Sequence, residues 1–574
     1  MPETKRERLW KLEAQLVQDR LSFESHWTEL GENFAPRRVR FAQTDKNQGG
    51  KRHSKIINEQ GMLSARTLRS GMFAGITSPA RPWRRLTTPD PELAEYGPVK
   101  DWLYVVNKRM NTLTLRSNFY QVNPTLYGDM GVFAGGAIGA FQDTQDGMRF
   151  YSYPIGSYWL ACNDRGVADT FLYKYQMTVR QLVMKFGDPK ASEANKWKNF
   201  SSQVKSLWDN GQYETNIFVS HLITPNMEYD PRRLEAKYSK PYQSCYYEAG
   251  FTGAGPNTYQ SSPTDTQFLK ESGFDHFPVL APQWERTGED TYGTSCPGMD
   301  ALAATKELQT TEKRVSRAIE KQLNPALQGP PELRNQKASL LAGDITYVNE
   351  ANGKGGLRPI HEVQMAIDQV EARIQRIEQR ISRCFYEDLF LMLSQMEGIQ
   401  PRNEAEIAER HEEKLLALGP VLESTNDGLL DPLTDIQFSL MMQYGMIPEP
   451  PEELSGMDLK VEYESIMAKA QKLVGVAGTE RFVAFLGNLA GAKPEVLDRL
   501  DEDEVVDEYG DMMGVSSKII RPLEAAQKIR ADRAKAQQMA QAAQNVPALA
   551  GAAKQLSETD MSTDNALTRV MAGA

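Results

Sequence analysis

The chain has 574 residues, too many for one ordinary hydrophobic core, so several packed regions are expected. Its 40% hydrophobic and 25% charged content is that of a globular protein, and a net charge of −10 argues against general attraction to nucleic acid. Four widely spaced cysteines (Cys162, Cys245, Cys296, Cys384) form no CxxC pair, which argues against a zinc site and a secreted disulfide framework. The opening MPETKRERLWKLEAQL has no apolar h-region, and no run of about 18 apolar residues follows, so a cytoplasmic protein, or one assembled from the cytoplasm, is expected.

Residues 5–33 read as one helix, with Leu9, Leu12, Leu16, Phe23, Trp27 and Leu30 at three- and four-residue steps, ended by Pro36. A basic loop covers 36–55, where seven cations face one acidic residue, Asp45. Helical patterns return at 56–75, 98–113 and 117–134. Between the first two lies LRSGMFAGITSPARPWRRLTTPD (68–90): a helix end that loses its bulk, a double-proline turn, then Trp83 beside Arg84 and Arg85. Such a turn suits close packing, with Trp83 either in a subunit contact or in the chain's own core.

From Gly135 the period changes to short aromatic and β-branched runs, AIGAFQD, MRFYSYP, SYWLACND, ADTFLYKYQ, NIFVSHLIT and PYQSCYYEAG. These predict a mostly antiparallel sheet with the helix MTVRQLVMKFG beside it. Residues 299–323 return to helix, 324–360 read as loop and short strand around the hairpin tip NGKGG, and 361–388 form the most regular helix. There Val363, Ile367, Val370, Ile374, Ile377 and Ile381 keep a 3.5-residue period. Arg373, Arg376, Arg380 and Arg383 make a second stripe, which either faces a channel or pairs with Asp368, Glu371 and Glu378. The seam itself suits an intramolecular hairpin with 299–323, a contact between subunits, or both. Residues 389–402 (LFLMLSQMEGIQPR) break the heptads, a helix resumes at 403, and 523–545 are helical by propensity. The fold class is therefore α+β, mainly α.

Catalytic motifs are absent. No P-loop occurs, His411-Glu412 lacks the second histidine of HExxH, and GTSCPG at 293–298 has Pro297 where GxSxG needs glycine. The acidic run at 498–511 does not follow EF-hand spacing and reads as a solvated face. No cofactor or metal is expected.

Four motifs in order, GMFAGITSPARPWRRL, FPVLAPQWERTGEDTYGTSCPG, LGPVLESTNDGLLDPLTDIQFSLMMQYGMIPEPPEEL and PEVLDRLDEDEVVDEYGDMMGVSSKIIR, resemble the podovirus-type bacteriophage head-to-tail connecting proteins, the portal family. The resemblance runs from about residue 20 to 535, and departs at Arg84, where the family more often carries an aromatic. It implies a non-enzymatic ring of twelve subunits at one capsid vertex of the virion, passing double-stranded DNA. The implied partners are the terminase packaging motor, a tail adaptor, and the major capsid and scaffold proteins. Carried onto this chain, the resemblance makes 1–296 wing, 297–323 and 361–388 the two stem helices, and 324–360 clip. Residues 389–430 become tunnel loop and wing helix, 431–522 crown, and 523–574 a C-terminal helical barrel or flexible tail. Its channel candidates are the four arginines with Met392 and Met396; the subunit-contact candidates are Trp83, Ile367, Val370, Ile374, Ile377 and Ile381.

Simple geometry agrees with a ring. Twelve helices about 10 Å wide leave a bore near 28 Å, enough for a duplex about 20 Å across, whereas six would not. Two other classes stay open: another virion structural protein, such as a tail adaptor or internal scaffold, and a metal-dependent DNA-processing enzyme with a dispersed site.

Overall fold

In the computed structural model the described residues are 4–41, 49–50, 52, 55–90, 93–94, 96–187, 196–251, 268–323, 327–328, 358–359, 367–395, 418–454, 456–463, 482–489, 493, 503, 505–506 and 526–538. The chain divides into two units. The first comprises Met1–Arg85, Val106–Pro448 and Tyr463–Gln471; the second comprises Leu86–Val105, Glu449–Glu462 and Lys472–Ala574.

The first unit opens with α1 (Lys5–Phe34), started by a capping box in which Thr4 and Glu7 satisfy each other's backbone amides. α2 (Gln60–Ile76) follows, then β1 (Arg84–Thr87), α3 (Gly97–Arg116) and α4 (Phe119–Phe133); the division between units falls within both β1 and α3. Next come β2 (Ala137–Asp143), β3 (Gly147–Tyr153), β4 (Tyr158–Cys162), β5 (Ala168–Thr178), α5 (Val179–Phe186), α6 (Ser202–Asp209), β6 (Asn216–Pro225), α7 (Ala236–Ser239), β7 (Tyr242–Phe251), β8 (Lys270–Phe274) and β9 (Val279–Leu280). β4 to β8 form a five-stranded sheet in sequence order, antiparallel throughout, and β3-β2-β9 form a smaller one.

The alternation of the strands gives the large sheet two different faces. One carries Trp159, Leu172, Leu222, Cys245 and Tyr247, and α1 lays Leu9 and Leu16 on it. Glu13 falls between those two leucines on the same helical stripe and meets Lys174 Nζ at 2.8 Å and the Tyr247 hydroxyl at 2.6 Å. The opposite face is aromatic: Tyr153 of the small sheet packs on Phe171 and Tyr173, at 4.8 and 4.7 Å between ring centres. Strand edges are plugged by side chains. The Asn118 amide both donates to Phe150 O and accepts from Phe150 N, closing β3, while the Tyr292 hydroxyl accepts from Leu160 N on β4.

Beyond the sheets run α8 (Pro297–Leu323), α9 (Ile367–Cys384), α10 (Glu387–Gln395), α11 (Gly419–Thr425), a π-helical turn Asn426–Leu430 and α12 (Asp431–Gln443). α2 lies against α4, α9 and α10. Its small residues serve contacts inside the subunit: a Cβ on Gly71 would stand 2.1 Å from Phe390 of α10, and one on Gly131 of α4 would stand 2.1 Å from Leu68.

One boundary differs from the sequence reading. Residues 389–395, taken as the start of a loop, are helical, because FLMLSQ holds good helix formers and the chain breaks earlier, at Phe385-Tyr386. Residues 431–448 group with the first unit and 86–105 with the second. The sequence gives no local sign of this, since the contacts that hold α12 come from residues more than 300 positions away.

In the second unit Val99, Trp102 and Leu103 are buried, and two helical stretches, 482–489 and 526–538, are described. Arg530 makes a two-pronged pair with Asp503 at 2.5 and 2.6 Å, and this pairing holds the Asp503 carboxyl below its usual range. Met396, the segments 403–417 and 343–356, and most of the acidic run at 498–511 lie outside the described residues.

Candidate functional site: the helical hairpin and the Trp83 turn

α8 and α9 pack side by side, and antiparallel pairing of Leu327–Gln328 with Arg358–Pro359 closes the connection between them. The heptad seam is not buried evenly. Ile381 and Ile377 are buried, whereas Ile374 and Val370 are half-exposed; Ile367 opens the helix. α8 mirrors this gradient: Ala301, Leu302, Ala304, Thr305 and Leu308 are buried, and past Leu308 no residue of the helix is. Ile319 and Leu323 stand 40% and 75% exposed at the far end. The hairpin is thus packed at its root and bare toward its tip.

All four stripe arginines are exposed. Arg373 and Arg380 reach Glu307 across the hairpin, at 2.9 and 3.5 Å, rather than the acidic residues of their own helix. The hydrogen bond from Arg373, with both positive charges nearby, holds the Glu307 carboxyl below its usual value. Glu378 instead accepts from Asn58 Nδ2, which also donates to Glu312 of α8, so one neutral amide ties both helices to the segment before α2. Among the described residues Arg376 and Arg383 have no acidic partner. Met392 lies within α10.

Trp83 is 2% exposed. Its ring stacks on Phe119, and its Nε1 donates to the Tyr120 hydroxyl at 3.1 Å. Arg84, which sequence reasoning left without a role, is buried too. Its guanidinium donates to Thr114 and Thr434 hydroxyls, both at 3.0 Å, and to Gln437 Oε1, and lies 4.8 Å from the Trp83 ring centre. Burial among neutral groups pushes its pKa down to about 10. Arg84 thus fixes α12 through two acceptors, Thr434 and Gln437, and α3 through a third, Thr114.

The Tyr292-Gly293 pair has an equally local purpose. Tyr292 packs against Phe23 and Trp27 of α1 while its hydroxyl caps β4. A Cβ on Gly293 would stand 2.2 Å from Ala134 O, so only glycine passes there without displacement. Cys245, Cys296 and His221 are buried. Burial pushes the Cys245 and Cys296 thiols up to about 12 and the His221 imidazole, stacked 3.8 Å from the Tyr246 ring centre, down to about 3. Among the described residues no cluster of His, Cys, Asp and Glu is placed to hold a metal, and no helix is long and apolar enough to cross a membrane.

An α+β body carrying an exposed two-helix hairpin, with the Trp83 and Tyr292 motifs locking its core, defines a class. Residues 6–520 match the family model described as bacteriophage head to tail connecting protein, and the chain belongs to that family. Its role is that of a phage portal, the head-to-tail connector. It is 46% identical to a portal protein of Salmonella phage epsilon15 over 570 residues, covering 99% of this chain and 98% of that one. A probable portal protein of Bordetella phage BPP-1 is 38% identical over 569 residues, with the same coverage. A chain in the neck of an empty gene transfer agent particle, solved with C6 symmetry, aligns over 79% of this chain and 90% of its own with 12% identity and a TM-score of 0.35.

Proposed function

We propose that the subunit assembles into a twelve-membered ring at one vertex of the virion capsid, where it passes double-stranded DNA during packaging and ejection and has no catalytic step of its own. The observation that carries this reading is the half-covered hairpin. A seam that is apolar along its whole length, buried at the root and bare at the tip, leaves Val370, Ile374, Ile319 and Leu323 to be covered by neighbouring hairpins. In that ring α8 and α9 are the stem, 324–360 the clip that meets the terminase motor and later the tail adaptor, and 1–296 the wing toward the major capsid and scaffold proteins. Assembly takes place in the host cytoplasm.

The arginine stripe then divides into two pairs. Arg373 and Arg380 hold Glu307 and keep the hairpin together, while Arg376 and Arg383 offer charge to passing phosphates. Residues 389–402, with Met392 and Met396, form the constriction, where thioether side chains repack readily around a moving duplex. Purified rings seen in negative stain, with DNA packaging measured alongside, test the division. Arg376→Gln with Arg383→Gln should leave rings intact and alter packaging or DNA retention. Arg373→Gln with Arg380→Gln should instead loosen the hairpin and reduce the yield of rings. Equal behaviour of the two double variants would refute the split.

A further inference from the structure

Among the described residues Arg84 is a cation without a counter-charge. It is 3% exposed, and Thr114, Thr434 and Gln437 around it are buried more deeply still. Every acceptor it meets there is neutral: two threonine hydroxyls and one amide oxygen. The other groups that bear on it are the Tyr120 and Tyr463 phenols. Burial raises the pKa of both, so they are uncharged at neutral pH. The Asp431 carboxylate is engaged by the Tyr463 hydroxyl instead. With a pKa of about 10, the guanidinium itself stays charged at neutral pH. A core that holds a lone charge is strongly destabilised, so native cores pair it.

Two donors in the same knot lack an acceptor. Arg84 Nε and Gln437 Nε2 are both buried with no hydrogen-bond partner among the described residues. They flank a single contact. Nε shares one edge of the planar guanidinium with Nη2, and Nη2 is the atom that donates to Gln437 Oε1. Nε2 is the other arm of that same amide. The amide is not reversed, because its nitrogen would then face the Nη2 donor, and Oε1 also accepts from the Thr114 hydroxyl at 3.3 Å. One acceptor set against this edge satisfies both donors. A water molecule would answer the hydrogen bonds and leave the charge; an anion answers both.

We propose that Arg84 and Gln437 form a buried site for a monatomic anion, chloride, which accepts from Arg84 Nε and Gln437 Nε2 and neutralises the guanidinium. The donor count selects the guest. Two unmet donors suit a single spherical acceptor, whereas the further oxygens of a phosphate or sulfate would find none. The ion joins β1 to α12 beside the direct hydrogen bonds from Arg84, so the fold is stabilised by chloride itself and not only by ionic strength. This site is independent of any contact with DNA or with another subunit.

Thermal unfolding of the full-length protein tests this, in potassium chloride and in chloride-free potassium gluconate at equal ionic strength and pH. Gluconate is a monovalent anion too bulky for a closed site. Wild type should melt higher in chloride, and its folding constant should rise about tenfold per tenfold chloride once the site is filled. Gln437→Glu brings a carboxylate to the same guanidinium edge, where it can accept from Nη2 and Nε together. This variant should melt alike in the two salts, and no lower than wild type does in gluconate. Crystals of wild type grown in bromide should show an anomalous peak beside Arg84 Nε and Gln437 Nε2. The salt comparison and the bromide peak decide the matter even if the variant does not fold. Wild type that melts alike in both salts, a Gln437→Glu variant that keeps the chloride effect, or no bromide at Arg84 overturns the proposal.

Discussion

Trp83 and Arg84 illustrate how far a side chain's type and its setting can diverge. The tryptophan is 2% exposed and stacked on Phe119, so its removal empties a core site of the subunit itself. Trp83→Ala should cost about 3–5 kcal/mol in urea unfolding of the subunit, with the ring size of whatever remains folded unchanged. Burial of Arg84 was not legible in the sequence, since an arginine after a Pro-Trp turn is ordinarily solvated and its acceptors Thr434 and Gln437 lie some 350 residues away. His221 supplies a second test. Its folded value near 3 lies below the unfolded value of 6.5, so between those limits the unfolded chain holds one proton more. Stability attached to this residue is full above pH 6.5 and falls as the pH drops toward 3, by up to about 1.4 kcal/mol per unit. His221→Gln should be less stable than wild type at pH 7, and its deficit should shrink steadily between pH 6.5 and 4. A deficit that stays constant over that range would refute the neutral, buried imidazole.

Elements were more legible than their junctions. The 3.6-residue period placed α1 at 5–33 against an observed Lys5–Phe34, and the aromatic alternation placed β2 to β7 but not β8, because burial against one face leaves its period in the sequence. The break at Tyr386 left no such mark, nor did the pairing of the arginines with Glu307, because both depend on what another element presents. The same holds for Glu13 on α1, whose partner Lys174 comes from β5, buried so that its ammonium is pushed to a lower pKa than usual. Lys174→Met removes the cation and leaves a carboxylate buried between Leu9 and Leu16. It should destabilise the subunit by about 3–5 kcal/mol and expose α1 to protease, since this pair is what fastens α1's polar gap to the sheet. Glu13→Gln in the Lys174→Met background should recover part of that loss by removing the stranded charge.

For the whole molecule the governing quantity is the sign of charge. A chain at −10 repels DNA, and a ring multiplies that repulsion, while the proposed channel contacts at Arg376 and Arg383 oppose it locally. The two effects respond oppositely to salt. Attraction through arginine–phosphate contacts weakens as salt rises, because counterions return to the duplex. Repulsion between a net-negative ring and DNA is screened as the Debye length shortens, which favours association. Retention of linear duplex by purified wild-type rings should therefore fall between about 50 and 300 mM salt, with a shallow log–log slope expected of a few contacts per DNA segment. In rings of Arg376→Gln with Arg383→Gln, attraction is removed and repulsion remains, so retention should be low at 50 mM and flat or rising with salt. A variant slope as negative as that of wild type would mean that the cations gripping DNA lie elsewhere, and would return these two arginines to the solvated surface of the hairpin.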